Sequence, residues 1–156
     1  MWYMYQQILS KYIDDLENYV KDAEKVSLGV SEGSVGWHIE HSCLVITKIT
    51  ETVKASDPIK YTWKFNFLKL MVFTLGKFPR GRAKAPASVI PVENIDSVSL
   101  LSSISSARWA VAELVRCQKN KYFLHPKFGN LNTPKTIHFL GIHTKHHLKI
   151  IHDILK

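Results

Sequence analysis

Cysteine is scarce in this chain, acidic residues are outnumbered, and no apolar run is long. The 156 residues hold two cysteines, Cys43 and Cys117, both inside helical patterns, a pair that is more often two buried thiols than a disulfide framework. The most apolar stretch, Phe65 to Leu75, is interrupted by Lys69 and falls far short of the roughly 20 residues a membrane-spanning helix needs. The N-terminal residues Met1-Trp2-Tyr3-Met4-Tyr5 place no basic region before an apolar one, which does not read as a signal peptide. A reducing cytoplasm is therefore the expected setting, without a membrane partner. No internal repeat or low-complexity tract is visible. Acidic residues number 13 against 21 Lys and Arg, a formal charge of +8, which can attract anionic partners but says little about fold. Hydrophobic residues reach 46% and charged residues 22%, a globular balance at a length that suits one domain over residues 1–156.

What is present is helical periodicity. Tyr5, Ile8, Leu9, Tyr12, Ile13, Leu16, Tyr19, Val20 and Ala23 fall at three-four spacing, with Lys11, Asp14, Asp15, Glu17, Asn18, Lys21 and Asp22 opposite. This first helix fades near Leu28-Gly29. A second is expected to start after Ser31 or Ser34, either of which can cap it, and to run to about Ala55 on a stripe of Val35, Ile39, Ile46, Ile49 and Val53. Residues 59 to 75, rich in aromatics, read as helical, although paired strands carry similar composition. Gly76, Pro79, Gly81, Pro86 and Pro91 break the pattern and mark a long crossover to about Glu93. A third helix spans about Ile95 to Gln118, with Leu101, Ile104, Ala107, Val111, Leu114 and Val115 in register. His125-Pro126-Lys127-Phe128-Gly129 reads as a turn. Thr133 as cap and Pro134 at the first helical position open the last helix, which continues to the C-terminus. Long amphipathic helices joined by one long connection predict an all-α four-helix bundle with a crossover.

Of eight histidines, five belong to that last helix: His138, His143, His146, His147 and His152. Its apolar stripe centres near Ile137, Thr144, Leu148, Ile151 and Leu155. At about 100° per residue, His147 lies roughly 50° from the centre and His143 roughly 90° away on the flank. His146 and His138 are expected to point outward. His143 and His147, four apart at the stripe's edge, can grip one metal ion, provided a neighbouring element supplies a third ligand. The second helix offers His38 and His41. Periodicity puts His38 nearer the stripe, whereas a ligand open to solvent belongs at the edge, where His41 sits. Three neutral imidazoles with open positions would suit zinc or nickel. The ordinary reading of such histidines is a backbone hydrogen bond, so the pattern stands as a hypothesis. Glu40 points elsewhere on the wheel and reads as solvated. Trp2, Trp37, Trp63 and Trp109 read as core or groove-lining residues, and Cys43 as an inert buried thiol.

The segment Ser34-Val35-Gly36-Trp37-His38-Ile39-Glu40-His41-Ser42 resembles the opening of the second helix in the DinB-like superfamily. Ile142-His143-Thr144-Lys145-His146-His147 resembles its closing His-x-x-His-His motif. His125-Pro126-Lys127-Phe128-Gly129-Asn130-Leu131 and Lys84-Ala85-Pro86 resemble a subgroup of unknown function within it. The resemblance implies an up-down-down-up four-helix bundle in a bacterial protein, often a homodimer, with a three-histidine metal site onto which His41, His143 and His147 map. Characterised relatives include thiol transferases that use bacillithiol or mycothiol, and a mycothiol-dependent isomerase.

Three functions are weighed on this basis. A metal-dependent transferase or hydrolase acting on a small-molecule substrate would use the metal to activate a low-molecular-weight thiol or water; no general base can be named. A non-catalytic binding protein would keep a structural or vestigial metal site. Nucleic-acid binding rests only on the net charge and on Lys77, Arg80, Arg82 and Lys84, without a recognition motif, and is disfavoured.

Overall fold

The computed structural model describes residues 2–78, 86–91 and 95–156; the side chain of Trp2 is not described. Five α-helices and one two-stranded sheet are found among them: α1 (Trp2–Asn18), α2 (Val35–Ala55), α3 (Phe67–Leu75), α4 (Ser97–Arg116), β1 (Tyr122–His125), β2 (Gly129–Asn132) and α5 (Thr133–Ile154). The four long helices pack on one another: α1 and α2 each contact both α4 and α5, and α4 contacts α5. Leu9, Ile13 and Leu16 of α1, Ile39 and Ile46 of α2, Leu100, Ile104 and Leu114 of α4, and Ile137, Leu140 and Ile151 of α5 are almost wholly buried in one continuous core. These follow most of the three-four stripes of the sequence, but Ile8 and Leu101, counted in them, are 37% and 45% exposed, and Leu100 is buried instead. No described helix is long and apolar enough to cross a membrane.

α1 is shorter than its pattern suggests. It stops at Asn18, and Val20–Asp22 tightens into a 3-10 turn that leads the chain round to α2. Ser34, not Ser31, caps α2, its hydroxyl accepting the Trp37 N–H at 3.1 Å. The first turn of α2 is then drawn against the turn after α1, where the Gly36 N–H donates to the Ala23 carbonyl at 2.8 Å. A Cβ on Gly36 would sit 3.1 Å from that oxygen and 3.2 Å from the Ala23 Cβ. Only glycine allows that approach without displacement, and it fixes the height at which His38 and His41 enter the core.

The expectations for three segments need correction. Residues 59 to 75 are not one helix: a 3-10 turn at Pro58–Lys60 and irregular backbone lead into α3, whose Asn66 cap accepts the Lys69 N–H at 2.7 Å. Only Val72 and Phe73 of α3 are buried, while Trp63, Phe65, Phe67, Leu70 and Leu75 stay more than half exposed. Composition was too apolar here to reveal which side faces in. The second correction concerns the turn at His125–Gly129, which is the bend of a hairpin, with Phe123 opposite Leu131 and both buried. A wholly α description therefore omits a small sheet. Finally, Asn132 rather than Thr133 caps α5, accepting the Lys135 N–H at 3.2 Å, and Thr133 instead donates to the Gln118 carbonyl at 2.8 Å.

In the crossover, Ala87–Val89 forms a 3-10 turn against α2, with Val89 buried. Arg80, Arg82 and Lys84, three of the four basic residues noted there, lie outside the described residues, as do Pro79, Gly81 and Ala85. Cys43 and Cys117 are free thiols, and of the two expected to be buried Cys43 is, while Cys117 is only half-buried.

Candidate metal centre

α2 and α5 pack side by side and turn their histidines toward each other. One nitrogen from each of His41, His143 and His147 lies within 4.8 Å of the others. The ring centroids stand 5.2 Å apart for His41 and His143, 4.7 Å for His41 and His147, and 4.6 Å for His143 and His147. Ligand nitrogens about 2.0–2.1 Å from a tetrahedral ion would be about 3.4 Å from one another, so a small inward movement of the rings closes the shell. The three-residue cluster could hold a metal ion.

The chemistry of the donor set suits a cation. His41 is only 4% exposed and His147 8%; His143 is half-buried. Burial lowers the pKa of all three, and for His143 and His147 neighbouring imidazoles lower it further. For His41 a hydrogen bond opposes that burial in part: its Nδ1–H donates to the Val89 carbonyl at 2.8 Å. That bond fixes the tautomer, because a carbonyl can only accept, and it leaves Nε2 as the atom His41 offers. Neutral imidazoles with available lone pairs are what a metal requires. His143 supplies a further sign of fit. Its Nδ1 is closed to solvent and has no hydrogen-bond partner among the described residues. Such an orphaned ring nitrogen costs about 1–3 kcal/mol unless something partners it.

His38, the alternative to His41, is equally buried at 3% but is not part of the cluster. Its Nδ1 lies 2.9 Å from Nδ1 of His147, and its Nε2 lies 3.0 Å from Ser31 Oγ. Burial, followed by the proximity of His41 and His146, pushes its pKa down to about 4. Periodicity favours His38 as the inner of the two α2 histidines, yet the structure buries both to the same degree. The partners decide: His38 reaches past the cluster to Ser31, and His41 reaches into it.

The surrounding residues match the sequence reading only in part. Trp37 is half-buried and stacks on His41, with centroids 4.9 Å apart and planes 12° from parallel, while its edge meets His38 at 5.1 Å. It forms a wall of the cluster. Trp63 and Trp109 are 67% and 64% exposed and belong to neither core nor groove; Lys54 lies over the Trp109 ring at 5.1 Å. His138 is not turned outward but stacks on Tyr5 at 3.9 Å and meets Phe73 at 5.0 Å. His146 is half-buried, with its ring 5.3 Å from His147 and 6.0 Å from Phe78. Glu40 is half-buried with one carboxylate oxygen closed to solvent, rather than fully solvated. Cys43 matches the inert reading: burial first, then Glu40, pushes its thiol up to about 12. The Val89 carbonyl and the Ser31 hydroxyl were not foreseen as partners. No sequence signal marks a backbone carbonyl from a crossover, and Ser31 reads only as a cap.

No protein family, curated protein or solved structure matches this chain.

Proposed function

We propose that this chain is a DinB-like metal-binding protein in which His41, His143 and His147 hold one divalent transition metal, zinc or nickel, in an up-down-down-up four-helix bundle. The observation that carries the reading is the convergence of three neutral imidazoles from two packed helices. All three ligands are uncharged, so a bound divalent ion would keep its full charge and supply Lewis acidity toward a thiol or water. The chain's own part is to hold the rings. Val89 orients His41, Trp37 covers its face, and the i, i+4 spacing on α5 sets His143 against His147. The reaction proposed is of the thiol-transferase or hydrolase type, with a low-molecular-weight thiol as co-substrate. A homodimer completes the reading on the strength of the same resemblance, and a cytoplasmic setting on the two free thiols; sedimentation velocity returning a monomer would count against the dimer.

Metal analysis of the purified protein, beside a double variant carrying His143→Ala and His147→Ala, tests the site. The parent is expected to carry about one transition-metal equivalent and the variant almost none. Equal content in both would remove the site. The burial of His41 and His147 favours a second reading, a structural metal in a non-catalytic protein. Chelation separates the two: a large drop in melting temperature without thiol or ester turnover in the loaded protein supports the structural role.

A further inference from the structure

Outside the cluster, His38 joins one of its rings through one ring nitrogen and a serine through the other. Its Nδ1 is 2.9 Å from the His147 Nδ1, and its Nε2 is 3.0 Å from Ser31 Oγ. The Ser31 oxygen also accepts the Gly33 N–H at 3.1 Å, which anchors the far end of the chain in the loop before α2. The His38 ring also meets Trp37, with centroids 5.1 Å apart and planes nearly perpendicular at 83°.

Two nitrogens in contact need one proton between them, so the protons along this chain must run in one of two directions. In the first, His147 Nδ1–H donates to His38 Nδ1, and His38 Nε2–H donates to Ser31 Oγ. His147 Nε2 is then a bare lone pair. In the second, the Ser31 hydroxyl donates to His38 Nε2 and His38 Nδ1–H donates to His147 Nδ1. His147 then carries its proton on Nε2, where it blocks coordination. The same heavy-atom positions serve both directions. His41 has no such freedom, because its partner is a carbonyl.

We infer that His38 is a positioning residue for the proposed metal centre: with Ser31 it forms a side-chain relay that holds His147 in the tautomer presenting Nε2 to His41 and His143. The inference rests on the metal-binding reading above. Binding of an ion selects the first direction of the relay, and the relay in turn keeps the His147 ring from rotating. His38 is not a ligand and is not a spare one. It stands behind His147 as the Val89 carbonyl stands behind His41. Partners of this kind commonly change metal affinity by roughly 10- to 100-fold when removed.

The test uses the full chain, zinc ion as probe, and competition with a chromophoric chelator to read affinity. His38→Ala is expected to weaken zinc binding roughly 10- to 100-fold, with far-UV circular dichroism unchanged. His38→Asn places an amide oxygen near the Nδ1 position, keeps an acceptor for the His147 Nδ1–H, and is expected to recover most of that loss. Ser31→Ala, which leaves every ring in place, covers the case in which a His38 variant fails to fold; it is expected to weaken binding several-fold. Nitrogen-15 spectra of His147 give a readout independent of affinity: the zinc-loaded parent should show a protonated Nδ1, and Ser31→Ala without metal should show a changed tautomer balance. Folded His38→Ala that binds zinc as tightly as the parent overturns the inference and leaves the three-histidine site standing. So does His38→Asn as weak as His38→Ala, which would make the ring's bulk the relevant property. A parent that binds no zinc overturns both, and His143→Ala run alongside identifies that outcome.

Discussion

His38 and His41 stand three residues apart on α2 and are 3% and 4% exposed, yet they have different partners. One meets a serine and a second imidazole; the other meets a carbonyl and stacks under Trp37. A helical wheel puts His38 nearer the buried stripe and His41 at its edge and stops there, because it knows one helix and not what packs on it. The same blindness explains His138 and His146. The α5 pattern alone turns both to solvent, because it does not contain Tyr5 and Phe78, which receive them. The i, i+4 pair His143 and His147 was legible because it lies within one element. A consequence at this scale is acid sensitivity. Burial holds His38 at about 4, and it also lowers His41, His143 and His147, against an unfolded value of about 6.5. The unfolded chain therefore binds more protons in that interval, and stability rises with pH across it. The contribution is complete above about pH 6.5 and is lost as pH falls toward the folded values, with His38 alone giving on the order of 3 kcal/mol. Metal-free protein should melt at a clearly lower temperature near pH 5 than near pH 7. Equal melting temperatures would mean that these rings are not held neutral by burial.

At the scale of elements, what was legible was what repeats. α1, α2, α4 and α5 each run long enough for an apolar stripe to declare itself, and the Ser34 and Pro134 signals fell within a residue or two of the observed starts. The hairpin was not legible. Each strand has four residues, too few for alternation to register, and its inward residues Phe123 and Leu131 pair across a bend that reads as a turn in any case. α3 was blurred for the opposite reason, an apolar surplus that leaves Phe67 and Leu70 exposed. Gly36 is the element-scale residue on which the site depends, because it lets α2 begin against Ala23. Gly36→Val should push α2 away from that turn and destabilise the fold by about 1–3 kcal/mol. Zinc affinity should fall with it, since His38 and His41 follow Gly36 within two turns. Urea unfolding and zinc competition on the same sample check both; a variant as stable as the parent would show that the close approach is slack.

For the whole molecule, the arrangement joins distant stretches of chain around one point. The Ala87–Val89 turn closes on α2, and α2 on α5, so that a carbonyl at Val89, a hydroxyl at Ser31 and rings from two helices meet. Such convergence needs the complete tertiary structure, which is why a sequence with eight histidines suggests a site without specifying its second layer. It also makes the central claim measurable in a single state. Zinc K-edge X-ray absorption of the loaded protein counts imidazole scatterers directly. The account predicts three at about 2.0–2.1 Å, and two in the His41→Ala variant. A sulfur shell, or an unchanged imidazole count in that variant, would contradict it.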